Sequence, residues 1–151
     1  MKCGPSELEE EIVQDVKDLS EIFGRKVTGF AYPYGVSSEA SAEYLKKAGV
    51  KYARVVKSDD SFRFPEDPYH LPMTCRHISK KAFEKIDRFI NEERKEDMLF
   101  VMFAHGYEFD FNTKESSWHK MTEICRKVSS QKDIICCSIS EAFEDHERGN
   151  A

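Results

Sequence analysis

Leu8, Ile12, Val16, Leu19 and Phe23 recur at helical spacing, with Glu, Asp and Lys between them, until Gly24 interrupts the run. Ser6-Glu-Leu-Glu9 has the spacing of a capping box, so the pattern predicts a first amphipathic helix ending at Gly24. The period then shortens. Residues 26–31 form a short strand candidate, stopped by Pro33 and Gly35. Ser37 or Ser38 caps a second helix that closes at Gly49, and residues 51–57 make a second strand. Residues 58–71 contain Pro65 and Pro68, with Pro72 just beyond, and read as a surface excursion or a lid over a site.

Further on, residues 73–77 make a brief strand. Ser79 opens a helix with Phe83, Ile86, Phe89 and Ile90 as its buried stripe. The near-continuous apolar run at 98–104, bounded by charge before it and His105-Gly106 after it, predicts a strand buried on both faces. Ser116 or Ser117 starts a helix carrying Trp118, Met121, Ile124, Cys125 and Val128. Residues 134–137 form a last strand, and Ser138 with Glu141 repeats the capping-box spacing ahead of a terminal helix.

Strands alternating with helices call for parallel pairing through right-handed crossovers, giving an α/β fold with four or five strands. In such a sheet the C-terminal strand ends share one rim, where ligands bind. The loops on that rim carry His77, His105, Asp59, Asp60, Glu108 and Asp110. Imidazoles beside carboxylates suit general acid–base chemistry. Taken singly, each has a plainer reading: His105 as a residue that ends a strand, Asp59-Asp60 as a turn, Tyr32 and Tyr34 as packing.

Composition narrows the classes. The chain has 151 residues, of which 34% are charged, and a net charge of −5. This fits a single domain over residues 1–151 and offers no basic run for nucleic acid. No apolar stretch reaches the roughly 18 residues of a membrane span, and the N-terminus lacks the apolar core of a signal peptide. Five cysteines, an odd number without C-x-x-C or zinc-site spacing, suggest reduced thiols and a cytoplasmic setting.

Phe30-Ala-Tyr-Pro-Tyr-Gly35, Ala48-Gly-Val-Lys-Tyr-Ala-Arg54 and Phe103-Ala-His-Gly-Tyr-Glu-Phe-Asp110, in that order, resemble the C-terminal two thirds of a polysaccharide deacetylase (NodB-homology, carbohydrate esterase family 4-like) domain. The resemblance implies an incomplete distorted (β/α) barrel with parallel strands and flanking helices. It implies a hydrolase in which a divalent metal, zinc or similar, activates water against an N-acetyl group of carbohydrate. By the same resemblance, the Tyr34 backbone N–H in the Pro33-Tyr34-Gly35 turn holds the developing oxyanion, and His105 is the acid toward the leaving amine. Tyr107, Glu108 and Asp110 match a variant motif of one bacterial branch, expected to contact substrate or orient His105. His77 matches a histidine in that branch's third loop, and Arg54 is expected on the substrate side.

Two features depart from the family. Its metal ligands, one Asp of an Asp-Asp motif and two His of a His-x-x-x-His motif, lie upstream of the Pro-Tyr-Gly turn. The residues before that turn here contain no histidine, and Ala31 stands where the family has an arginine. No metal ligands are therefore identifiable in this chain. A barrel without its first strands exposes a sheet edge, so the chain is expected either to dimerise through that edge or to cover it with the first helix. The expected partner is an acetylated carbohydrate, with neither nucleic acid nor membrane. The second functional class is a non-catalytic carbohydrate-binding or scaffold domain derived from the same fold. A third is a metal site rebuilt from His77, His105 and nearby carboxylates.

Overall fold

The computed structural model describes residues 4–149. The chain forms two compact units, one comprising the chain up to Lys57 with Pro65–Pro72, the other Ser58–Phe64 with the chain from Met73 onward.

In the first unit α1 (Pro5–Glu9), a π-helical turn (Glu10–Gln14) and α2 (Asp15–Phe23) make one continuous helical run. The expected Ser6 cap rests on a side chain outside those described; Gly4 N–H donates to Glu7 Oε2 instead, at 2.7 Å. Gly24 ends the run in the left-handed region, φ 61°, as a C-terminal glycine does. The helical run packs on α3 (Glu39–Ala48), which starts at Ser38 with its side chain accepting from Ser41 N–H. Crossing from β1 (Gly29–Ala31) to β2 (Tyr52–Ser58), α3 completes a βαβ unit whose strands pair in parallel, Gly29 opposite Tyr52 and Ala31 opposite Arg54. A Cβ on Gly29 would lie 2.2 Å from the Tyr52 hydroxyl, so glycine lets the Tyr52 ring lie across β1. Ile12, Val16, Tyr32, Leu45, Val50, Ala53 and Val55 fill the core between helices and strands. β3 (Leu71–Met73) completes a three-stranded sheet ordered β1-β2-β3.

The second unit repeats the device on a smaller scale. β4 (Cys75–Arg76) and β5 (Met102–Phe103) are parallel, with α4 (Ala82–Asn91) between them in sequence. The strand expected over 98–104 shrinks to two residues. The rest of that run is tied by single links: Leu99 N–H to Phe62 O at 2.8 Å, and Thr74 and Val101 to each other. Phe62 takes φ 57°, a conformation costly for a bulky residue, while its buried ring packs against Phe89 and Phe100. The strand expected at 134–137 is absent. Arg94 binds both the Asp133 carbonyl, at 2.8 Å, and its carboxylate, at 2.6 Å; Ile134 is half-buried, and residues 135–137 run exposed without a ladder partner among the described strands. α5 (Trp118–Ser129) is capped by Ser117, and α6 (Ile139–Gly149) by Ser138 and Glu141 as the capping-box spacing predicts.

The architecture is thus mixed α/β with parallel strands and flanking helices; the described strands form one three-stranded and one two-stranded sheet. No helix among the described residues is long and apolar enough to cross a membrane. The four described cysteines are free.

Candidate functional site

The sequence candidates divide between the units: Pro33, Tyr34 and Arg54 lie in the first, and His77, His105, Tyr107, Glu108 and Asp110 in the second.

In the first unit β1 leads into a tight turn, Pro33–Gly35. Pro33 presets the helical φ, Tyr34 is left-handed at φ 57°, and Gly35 follows at φ 70°. Gly35 cannot be replaced by a residue with a side chain without conflict, because a Cβ there would lie 2.3 Å from Val56 Cγ2. A non-glycine residue held in this region is strained, and such strain is maintained only where surrounding structure over-determines it. Here the Gly35 N–H to Tyr32 O bond, at 2.8 Å, and the Val36 N–H to Pro33 O bond, at 3.2 Å, close the turn. The Tyr34 ring is 95% exposed, so the turn presents its backbone without burying its side chain. Arg54 is half-buried, with one guanidinium N–H donating to Val55 O at 3.3 Å, and burial lowers its pKa.

In the second unit β4 and β5 are parallel, so Arg76-His77 and His105 emerge at the same end of the pair. A 3₁₀ turn, Gly106–Phe111, follows His105. Glu108 folds back into the interior, where its Oε2 accepts the His105 N–H at 3.1 Å and its Oε1 receives Arg76 at 2.5 Å. Burial pushes the Glu108 carboxyl up, but the His105 N–H, Arg76 and His77 outweigh it, and its pKa falls below the ordinary carboxylate range.

His77 is also interior, 1% exposed. Ser116 Oγ–H donates to Glu108 O at 2.5 Å, so Ser116 accepts from His77 Nε2, which lies 2.8 Å away. Nδ1 faces Glu108 Oε2 at 3.6 Å and makes no hydrogen bond among the described residues. Burial lowers the His77 pKa, opposed by Glu108 and reinforced by Lys120 and Arg76. Buried Lys120 donates to the carbonyls of His77, Ser79 and Glu115, at 2.7, 3.2 and 3.0 Å, clamping the β4 loop to α5. Desolvation lowers its pKa as well.

The outer surface of the same loop is aromatic. His105 is exposed, with Phe103 edge-on at 4.9 Å and Tyr107 stacked on it at 5.3 Å and 20°. Phe111 meets Tyr107 at 5.8 Å, and Asp110 Oδ1 accepts the Trp118 indole N–H at 3.0 Å. The second unit therefore brings His77, Glu108 and the His105 backbone together in the interior, and leaves the His105 ring, Tyr107 and Asp110 facing outward. Asp59 accepts from Ser61 in a local turn and Asp60 pairs with Lys85, so neither joins this group.

Arg76, Ser116 and Lys120 also belong to this group, although the strand-end pattern points to none of them and Ser116 carries only the signal of a helix start. Arg76 adjoins His77, but nothing in the order of residues says which carboxylate it meets 32 positions later.

The donor set does not fit the metal a deacetylase would carry. Among the described residues no three His, Cys, Asp or Glu side chains are grouped to hold an ion, and one His77 nitrogen is committed to Ser116.

A family model described as polysaccharide deacetylase matches residues 1–53. That match reaches the Pro33–Gly35 turn and most of β1-α3-β2, and supports a deacetylase-like family over the first third of the chain. An arginine–tRNA ligase of Ruminiclostridium cellulolyticum is 30% identical over 103 residues, covering 57% of this chain and 18% of that protein's length. No solved structure matches.

Proposed function

We propose that the chain is a polysaccharide-deacetylase-like hydrolase domain acting on N-acetyl groups of carbohydrate, with the incomplete barrel architecture that this family would entail. The observation that carries the reading is the family match over residues 1–53, which includes the strained, outward-facing Pro33-Tyr34-Gly35 turn. In the first unit the Tyr34 N–H is the assigned donor to an oxyanion, with Pro33 and Gly35 fixing its direction and Arg54 on the substrate side. In the second, His105 gives its proton to the amine nitrogen as water adds to the acetamide carbon and the C–N bond breaks, the water's proton passing to solvent; Tyr107 stacks on the His105 ring, and Asp110 is assigned to the substrate side. Glu108 acts from beneath by holding the His105 backbone, and His77 supports Glu108. No step is assigned to a metal. The partner is an acetylated carbohydrate. The end position of β1 in its sheet supports self-association through that edge, or its covering by the first helix.

A second reading, a carbohydrate-binding domain that keeps the fold without hydrolysis, is favoured by the donor set of the described residues, in which no three His, Cys, Asp or Glu side chains are grouped to hold an ion. Acetate release from N-acetylated oligosaccharides separates the two. The hydrolase reading expects release by the whole chain, reduced roughly 10² to 10⁴-fold in His105→Ala, the usual worth of a positioned acid. An unchanged rate in that variant removes His105 from the chemistry, and no release at all leaves the binding reading.

A further inference from the structure

Trp118 is the single tryptophan of the chain. The residue is 59% exposed although two contacts fix its ring. The indole N–H donates to Asp110 Oδ1 at 3.0 Å, Phe109 backs the ring at 4.7 Å and 37°, and Phe109 itself is buried against His77 at 4.6 Å. Ser117, the preceding residue, is the N-cap of α5, so the backbone below the ring is also set. An immobilised aromatic whose outer side stays in water has lost its rotamer freedom before any ligand arrives, and such preorganisation lowers the cost of binding.

The chemistry beside the ring is specific. Asp110 uses Oδ1 for the indole, and its exposed carboxylate has Oδ2 to accept a hydroxyl at the ring's edge. An aromatic face carries negative quadrupole charge. The axial C–H groups on one side of a pyranose are weakly positive, and its equatorial hydroxyls radiate outward to a neighbouring carboxylate. A flat apolar face bordered by one acceptor therefore matches a sugar ring better than it matches an aliphatic side chain, which has no use for the acceptor. Tyr107 and Phe111 continue the aromatic surface along the same turn toward His105.

We infer that Trp118 and Asp110 form a stacking subsite for one pyranose ring of a glycan chain, apart from the ring at His105. The inference rests on the carbohydrate reading above and deepens it: the ligand is an oligosaccharide, not a single sugar.

Trp118 reports on its own site. The intrinsic emission of the whole chain is titrated with the β-1,4-linked tetramer of N-acetylglucosamine and, separately, with the monosaccharide. A saturable change with the tetramer, at least tenfold tighter than with the monosaccharide, is the expected result. Asp110→Asn, which keeps the fluorophore, weakens tetramer binding by about tenfold. By calorimetry Trp118→Ala loses at least as much, and Trp118→Phe, which keeps an aromatic face and guards against misfolding as the cause, stays within about threefold of wild type. An emission that does not respond to the tetramer, or an Asp110→Asn chain that binds like wild type, overturns the subsite. Acetate release with a silent Trp118 overturns this inference alone; neither acetate release nor tetramer binding by calorimetry overturns both readings of the site.

Discussion

At the scale of single residues, Glu108 carries the most. It is buried, binds Arg76 through one oxygen and the His105 N–H through the other, and faces His77 Nδ1. Replacing it with Gln keeps the volume and removes the charge, leaving Arg76 without its carboxylate. Arg76 is itself partly exposed, which moderates the penalty. Glu108→Gln is expected to lower stability by about 1–3 kcal/mol in denaturant titration and to speed hydrogen exchange at the His105 amide. Unchanged exchange at that amide would mean that Glu108 does not hold the His105 backbone.

The same residues set a pH dependence. Glu108 and His77 both have folded-state pKa values below their ordinary ones, so the folded form holds fewer protons than the unfolded chain as the medium acidifies. Their contributions are complete above the unfolded pKa values, 6.5 for His77 and 4.5 for Glu108, and decline as pH falls through the folded ones. Stability should therefore drop on acidification from pH 7, first through His77 and then through Glu108. In His77→Gln the earlier part of the drop should disappear. A stability that rises between pH 7 and pH 5 would contradict the direction for His77, and one that rises on further acidification below pH 4.5 would contradict that for Glu108.

At the scale of elements, the turns decide more than the strands. The Pro33–Gly35 turn joins a three-residue strand to the loop before α3, and its shape depends on two successive positive φ values. Gly35→Ala combines a left-handed alanine with a Cβ inside the van der Waals radius of Val56. A loss of about 1–3 kcal/mol is expected, measured by thermal unfolding, and Val56→Ala in the same chain should recover part of it. No loss in Gly35→Ala would show that the turn is not confined as described.

Much of this level was legible in the sequence. Helix ends at Gly24, Ser38, Gly49, Ser117 and Ser138 follow from capping chemistry, which acts over three or four residues and leaves a local signature. The strands were less so. The apolar run 98–104 and the stretch 134–137 have β-prone composition, but a ladder needs a neighbour, and the neighbour is set by the rest of the chain. Val101 accepts the backbone N–H of Thr74 but gives its own N–H to the Thr74 side chain, which breaks the ladder there, and 134–137 has no strand beside it among those described. At the site, His105 at a strand end and its adjacent carboxylates could be read off. That Glu108 turns inward while Asp110 turns out to Trp118 could not, because a 3₁₀ turn sends near neighbours to opposite sides.

At the scale of the whole molecule, two small βαβ units each present a functional candidate at a strand's C-terminal end: the Pro33-Tyr34-Gly35 turn after β1 and His105 after β5. Such ends are where α/β folds bring backbone donors and side chains to a ligand. The partial family match lies in the first unit, and the imidazole and aromatic surface in the second.

The measurement that bears most directly on carbohydrate N-acetyl recognition is a pair of NMR titrations of the intact chain, one with an N-acetylglucosamine tetramer and one with the same tetramer stripped of its acetyl groups. The acetylated tetramer is expected to bind the more tightly and to shift the His105 ring resonances. Binding of neither, equal binding of both, or binding that leaves His105 unmoved would contradict that recognition.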